Sequence, residues 1–153
     1  GHDVGLVSEA GMPAVADPGS SVVRAAHDLG LQVVPLVGPV SLLLTLAASG
    51  LNGQNFAFVG YLPQDAGERA TRLKQLESLA LKTGQTQLWI ETPYRNPAML
   101  GALLQTLQPS TRLAIACGLT LDSASIQSRS VAAWKKSLSG PDAQTPAVFA
   151  IGA

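Results

Sequence analysis

The sequence predicts an α/β protein, and three patterns predict it. Short apolar or β-branched runs alternate with stretches of helical spacing, which is the signature of βαβ units and a parallel sheet. Glycines stand just past the last periodic residue of the first two helical stretches, at Gly30 and Gly50, where helices end. A Leu-Asn-Gly-Gln segment at 51–54 reads as a linker, after which a second sheet begins. Two domains are therefore expected, one over residues 1–51 and one over 55–153.

Taken in order, residues 4–8 read as a buried strand and 9–19 as a Pro/Gly-rich loop. Val22, Val23, Ala25, Ala26 and Leu29 recur at helical spacing, so a helix is expected over 20–29, capped by Ser20 or Ser21. Residues 32–37 form a β-branched run, followed by a turn at Gly38-Pro39-Val40-Ser41 and an apolar helix over 42–49. That helix is apolar nearly all round, which predicts burial on more than one side. In the second series, strands are expected at 56–61, 87–91, 112–117, 125–130 and 147–151. Helices are expected at 65–82, 97–107 and 131–138. The helix over 65–82 carries much of the charge, with Leu73, Leu76, Leu79 and Leu81 as its apolar stripe. There is no internal repeat and no low-complexity tract.

Composition excludes several classes. Of 153 residues, 46% are apolar, enough for a core. Only 13% are charged, against about 25% in an average soluble domain. Lys+Arg and Asp+Glu both number 10, so there is neither the cationic excess typical of nucleic-acid binders nor an acidic disordered tail. Cys117 stands alone and His2 and His27 are not spaced as a metal pair, so neither a disulfide framework nor a metal site is expected. The longest apolar stretch, 42–48, is interrupted by Thr45 and falls far short of the roughly 18 residues of a membrane span. The chain opens Gly-His-Asp, without an initiator Met or a charged-then-apolar leader. It reads as a fragment or processed form of a cytoplasmic protein.

Chemistry is expected in the loops after the strands, because open α/β sheets bind ligands outside the carboxyl ends of their strands. Three loops stand out: Ser8-Glu9-Ala10-Gly11-Met12-Pro13 with Asp17-Pro18-Gly19, then Gly38-Pro39-Val40-Ser41, then Glu91-Thr92-Pro93-Tyr94-Arg95. Glycines admit a ligand close to the backbone and prolines hold loop shape. Taken singly, each loop reads as an ordinary turn.

Taken together they resemble a known family. The run from Ser8 through Gly19 resembles the Ser-Asp-Ala-Gly-Thr-Pro…Asp-Pro-Gly signature of tetrapyrrole-methylase-like S-adenosylmethionine methyltransferases. Within that superfamily, Val34-Pro35-Leu36-Val37-Gly38-Pro39-Val40-Ser41 is similar to the Val-Pro-Leu-Pro-Gly-Pro-Ser-Ala segment of the branch that 2′-O-methylates a cytidine of small-subunit ribosomal RNA. Ala48-Ser49-Gly50-Leu51, Phe58-Val59-Gly60-Tyr61-Leu62-Pro63 and Glu91-Thr92-Pro93-Tyr94-Arg95 resemble that branch's Ala-Ala-Gly-Leu, Gly-Phe-Leu-Pro and Glu-Ser-Pro-His-Arg. The resemblance implies two α/β domains, a parallel sheet in the first and a mixed sheet in the second, with the methyl donor S-adenosylmethionine held by loop backbone. It places donor contacts at Gly11, Met12, Pro13, Pro39, Val40, Ser41, Leu42, Thr92 and Pro146, and substrate-side candidates at Asp17, Glu91 and Arg95. It names no catalytic residue, since sulfonium methyl transfer rests mainly on alignment.

The chain departs from the family pattern at four places. The family's opening strand-helix region precedes the position of Gly1, which leaves the first domain incomplete. Arg-Glu-Leu-Thr-Lys reads Cys117-Gly118-Leu119-Thr120-Leu121, and Lys-Gly-Glu reads Gln144-Thr145-Pro146. The signature Asp and Thr are Glu9 and Met12. Two readings follow: a methyltransferase acting on ribosomal RNA or a small molecule, or a catalytically silent donor-binding or dimerisation relative of that family. A homodimer is expected either way, because the helix over 42–49 and an open sheet edge both call for partners.

Each singled-out residue also has a plain structural reading. Glu91 and Arg95 either hold an acceptor or form a local ion pair. Asp17 before Pro18 is expected to cap the next helix through an Asx-turn. Glu9 carries little weight as a base, and His27 is expected on the surface. Cys117 is expected to be a buried inert thiol, Trp89 and Trp134 packing residues, and Arg69, Arg72 and Lys74 part of a solvated face interrupted by Glu68 and Glu77.

Overall fold

A computed structural model describes every residue except Ala10 and Leu138. Ala10 of the first loop and the expected helix end at 138 thus lie outside the described residues. The chain divides into two compact units, Gly1–Ser41 and Leu42–Ala153.

In the first unit the helix forms as expected, as α1 (Ser20–Asp28). Its cap differs. Gly19 occupies the N-cap position, and neither Ser20, Ser21 nor Asp17 supplies a side-chain cap. The amides of Val22 and Val23 bond instead to the Gly19 carbonyl at 3.0 and 3.1 Å. A chain that enters the helix at φ 141° needs glycine there. A Cβ at residue 19 would also lie 2.9 Å from Leu6 Cδ2. The two expected strands, 4–8 and 32–37, are a correction, since neither carries strand pairing. A strand persists only when a neighbour takes its N–H and C=O groups, and no ladder exists among the described residues of this unit. Val4, Val7, Leu36 and Val37 are exposed accordingly. Among the described residues, the expected parallel sheet of the first domain is therefore not formed.

The second unit begins along α2 (Ser41–Ser49). Its buried residues are Leu42, Thr45, Leu46 and Ser49, a single stripe at helical spacing, while Leu43 and Leu44 are exposed. The expectation of burial on several sides is corrected to burial on one. The rest builds a five-stranded mixed sheet from β1 (Phe56–Tyr61), β2 (Thr86–Glu91), β3 (Arg112–Cys117), β4 (Ser125–Ser130) and β5 (Ala147–Gly152), in the order β1-β2-β5-β3-β4. Only β1 and β2 are parallel, joined by the crossover helix α3 (Ala66–Thr83). The other pairs are antiparallel.

Helices α3, α4 (Asn96–Thr106) and α5 (Val131–Lys135) cover one face of the sheet. Trp89, Phe149, Ile151, Leu113 and Ile115 pack there against Leu73 and Leu76 of α3, Met99 and Leu103 of α4, and Trp134 of α5. Trp89 stacks on Phe149 with ring centroids 5.8 Å apart. Trp134 is a packing residue whose indole N–H donates to the Leu113 carbonyl at 2.8 Å. The stripe of α3 is Leu73, Leu76, Glu77 and Ala80. Leu79 and Leu81, expected on it, are exposed because they fall outside that 3.6-residue row. Glu77 tolerates burial because its carboxylate accepts from the Gln108 amide at 2.8 Å and from the Thr111 hydroxyl. The opposite sheet face carries Leu88 beside Val148, Ala150, Ala114 and Ala116, all buried. Leu51 closes on its end so tightly that a Cβ at Gly152 would meet Leu51 Cδ2 at 2.8 Å.

Candidate functional site

Two of the three loops singled out in the sequence meet in the first unit. Gly11, Met12 and Pro13 on one side, and Gly38 and Pro39 on the other, line a hollow of about 220 Å³ together with Ser8 and neighbouring apolar side chains. Gly11 has φ 133°, a conformation that favours glycine, and a Cβ there would lie 3.5 Å from the Pro39 carbonyl oxygen. The loop that carries Met12 and Pro13 folds back on itself. Val15 donates to the Met12 carbonyl and Ala14 to that of Pro18, each at 3.3 Å. Ala14 and Ala16 also sit at positive φ, 64° and 55°. No lining residue is charged, so the hollow presents apolar groups and backbone.

Four expected donor contacts, Gly11, Met12, Pro13 and Pro39, therefore line one hollow. Val40 and Ser41 follow Pro39 directly and are half-buried, outside that lining. Asp17 is half-buried in the same unit and also outside the lining. Leu42 opens the second unit and is 7% exposed, one of its packing residues.

Thr92, Glu91, Arg95 and Pro146 lie in the second unit, and the sheet brings them to one rim. Glu91 pairs with Ala147 across β2 and β5, so Thr92 and Pro146 are the next positions on either strand. Cys117 pairs with Ala147 from the other side, and the Gly118 amide donates to the Pro146 carbonyl at 3.0 Å. The two segments that depart from the family pattern, 117–121 and 144–146, thus adjoin one another. Beside them is a second hollow of about 170 Å³, which includes Cys117, Ser125, Gln127, Asp142 and Thr145 in its lining.

Glu91 and Arg95 form the local ion pair, with 3.2 Å between guanidinium and carboxylate. The Glu91 side chain is fully buried and that of Arg95 is 16% exposed. The other Glu91 oxygen accepts from the Thr92 amide at 2.8 Å and its hydroxyl at 3.3 Å. A buried carboxylate needs this charge and these donors. The pair locks the 3₁₀ turn Pro93–Arg95 between β2 and α4.

Asp142, Thr145 and Asn96 escaped the sequence reading. The Asp142 carboxylate accepts from the Gln144 and Thr145 amides at 2.8 and 2.6 Å and from the Thr145 hydroxyl at 2.9 Å. Those amide bonds, and then the hydroxyl, hold its carboxyl below the ordinary carboxylate range. Asp-Ala-Gln-Thr carried the signal of an Asx-turn, so this feature was legible. Burial, and then the Asp142 charge, push the Cys117 thiol up, which disfavours the thiolate. Cys117 is half-buried rather than fully buried, and the expectation is corrected to that extent. His27 is exposed, as expected. Among the described residues no cluster of His, Cys, Asp and Glu is arranged to hold a metal ion, and no helix is long and apolar enough to cross a membrane.

Comparison with known proteins gives the family. No protein-family model matches the chain. Ribosomal RNA small subunit methyltransferase I of Mesorhizobium japonicum is 41% identical over 120 residues, 78% of this chain and 40% of that protein. The protein of the same name from Vibrio cholerae is 34% identical over 127 residues, 83% of this chain and 43% of its own length. The chain therefore spans about two fifths of the length of these curated relatives. Among solved structures, the crystal structure of the methyltransferase CobJ superposes with a TM-score of 0.55 at 18% identity, covering 92% of this chain and 61% of that one, a likeness of fold. The ordered run of loop motifs and the identity over more than a hundred residues converge: this chain belongs to the tetrapyrrole-methylase-like family of ribosomal RNA small subunit methyltransferase I.

Proposed function

We propose that the protein carrying this chain is an S-adenosylmethionine-dependent methyltransferase whose acceptor is a ribose of ribosomal RNA or a small molecule. The observation that carries this reading is the hollow at which the Gly11 and Pro39 loops meet. Its kind of lining fits a donor that offers a flat apolar base and polar edges. Uncharged walls accept the base, and backbone groups bared at Gly11 and Gly38 serve the edges. When bound, the donor supplies an electrophilic methyl on a sulfonium. The residues of this chain hold, orient and shield it, and alignment of this sort lowers a methyl-transfer barrier by several kcal/mol, of order 7–11 at best. No general base is assigned. Thr92 and Pro146 are proposed as the second unit's contribution to the donor, Val40, Ser41 and Leu42 as a continuation of the Pro39 loop, and Asp17 as a substrate-side group. Residues 51–54 are proposed as the boundary between the family's two domains. A homodimer in the cytoplasm is proposed for the whole protein.

One observation favours a second reading. The two departing segments of the rim, 117–121 and 144–146, supply no cation, and RNA backbone recognition draws on cations. A catalytically silent donor-binding or dimerisation relative fits such a rim, as does an enzyme with an uncharged acceptor.

Calorimetric titration with S-adenosylhomocysteine tests the donor site. The expected result is a micromolar Kd, about −8 kcal/mol of binding free energy. Absence of binding to a chain shown by circular dichroism to be folded overturns the donor reading. Transfer of a labelled methyl group to small ribosomal subunits, against none to protein-free small molecules, then assigns the acceptor, and no transfer to either favours the silent relative.

A further inference from the structure

Asn96 is the first residue of α4 and is completely buried. Its side-chain nitrogen donates to two carbonyls, that of Asp142 at 3.1 Å and that of Thr145 at 2.9 Å. Two acceptors settle which end of the amide carries nitrogen. The remaining oxygen, Oδ1, is buried without a hydrogen-bond partner among the described residues. Sequence separations of 46 and 49 residues make this a long-range tie, not a local cap.

The tie joins the two strand ends that form the rim. Asn96 directly follows the 3₁₀ turn whose Arg95 holds Glu91, and Glu91 in turn holds Thr92. The Thr145 carbonyl belongs to the peptide that leads into Pro146. On its far side the same loop is held by the Gly118 amide on the Pro146 carbonyl. Three bonds from two directions therefore set the position of Pro146 relative to Thr92. A buried amide left with one unpaired atom is costly, and the two bonds its nitrogen makes to the Asp142–Thr145 loop offset that cost, so the side chain and the loop hold one another in place.

We propose that Asn96 is a positioning residue of the donor site, acting through the Asp142–Thr145 loop on Pro146 and through the Glu91–Arg95 turn on Thr92. The inference rests on the donor reading above.

The test uses Asn96→Ala and Asn96→Asp in the full chain, with S-adenosylhomocysteine as the probe and calorimetry well below each variant's melting temperature. Asn96→Ala removes both donors and is expected to weaken binding about tenfold at every pH, the equivalent of roughly 1.4 kcal/mol. Asn96→Asp keeps the shape. Protonated, its carboxyl donates to one carbonyl; ionised, it repels both. Its affinity is therefore expected near that of the unsubstituted chain at low pH, falling as pH rises, against the chain's own binding as the reference at each pH. If both folded variants bind as the unsubstituted chain does at all pH values, with only their melting temperatures lowered, Asn96 is structural and the proposal is overturned. Should Asn96→Ala fail to fold, the pH profile of Asn96→Asp decides alone. If the unsubstituted chain binds no S-adenosylhomocysteine, the donor reading itself falls and this inference with it, an outcome separate from equal binding by all three.

Discussion

Glu91 and Arg95 show how a short motif acquires meaning at the residue scale. Their spacing was legible, and both readings of it were open in the sequence. The ion pair is present: the Glu91 side chain has no exposure and a cation 3.2 Å away. Removing the cation strands the carboxylate. Arg95→Met is expected to destabilise the folded chain by about 2–3 kcal/mol, toward the low end for a broken buried pair because Arg95 itself is partly solvated. Urea denaturation with an unchanged m-value would register it; a loss below about 0.5 kcal/mol, the level of ordinary surface changes, would mean that the Thr92 donors alone suffice. Asp142 acts in the same currency with the sign of a depressed carboxylate. Its folded-state value lies below the unfolded one, so its contribution is present above the unfolded carboxylate range, near pH 4, and is lost as pH falls through the folded value.

At the scale of the element, the second unit was read nearly residue by residue. The strands at 56–61, 112–117 and 125–130 form as Phe56–Tyr61, Arg112–Cys117 and Ser125–Ser130. Local chemistry suffices for the first two, whose apolar runs are bounded by Pro, Gly and polar turns; Ser125–Ser130 has Ile126 as its one apolar residue and is fixed by pairing with Arg112–Cys117. Helix α3 begins where Asp65 accepts from the Glu68 amide at 2.9 Å. Asp65→Ala is expected to cost about 1 kcal/mol through the lost cap. Thermal unfolding against Asp65→Asn, which keeps an acceptor, checks this, and equal melting temperatures for Ala and Asn would sink it. The same local logic failed at 4–8 and 32–37. Their β-branched and apolar residues suit a strand, but strand propensity expresses itself only against a neighbour, and the described residues of the first unit supply none.

The whole molecule is uneven. All of the core lies in the second unit, from Leu42 to Ile151, whereas none of the described residues of Gly1–Ser41 is buried to that degree. Stability should follow the buried apolar area. Residues 42–153 alone are therefore expected to unfold cooperatively, with a melting temperature within a few degrees of the full chain's, while 1–41 alone shows no cooperative transition. Calorimetry on both fragments tests this, and a loss of cooperativity in 42–153 would show that the first unit contributes essential packing. The strands and helices of the second unit, the helix that forms as Ser20–Asp28 and the family motifs were legible in the sequence alone, because each is a local pattern of residue type and spacing. The order β1-β2-β5-β3-β4, the unpaired state of 4–8 and 32–37, and the burial of Glu77, Glu91 and Asn96 were decided only by the tertiary structure. Each depends on which distant segment arrives beside it. Asn96 finds its acceptors 46 and 49 residues away, and no local pattern encodes a partner at that distance.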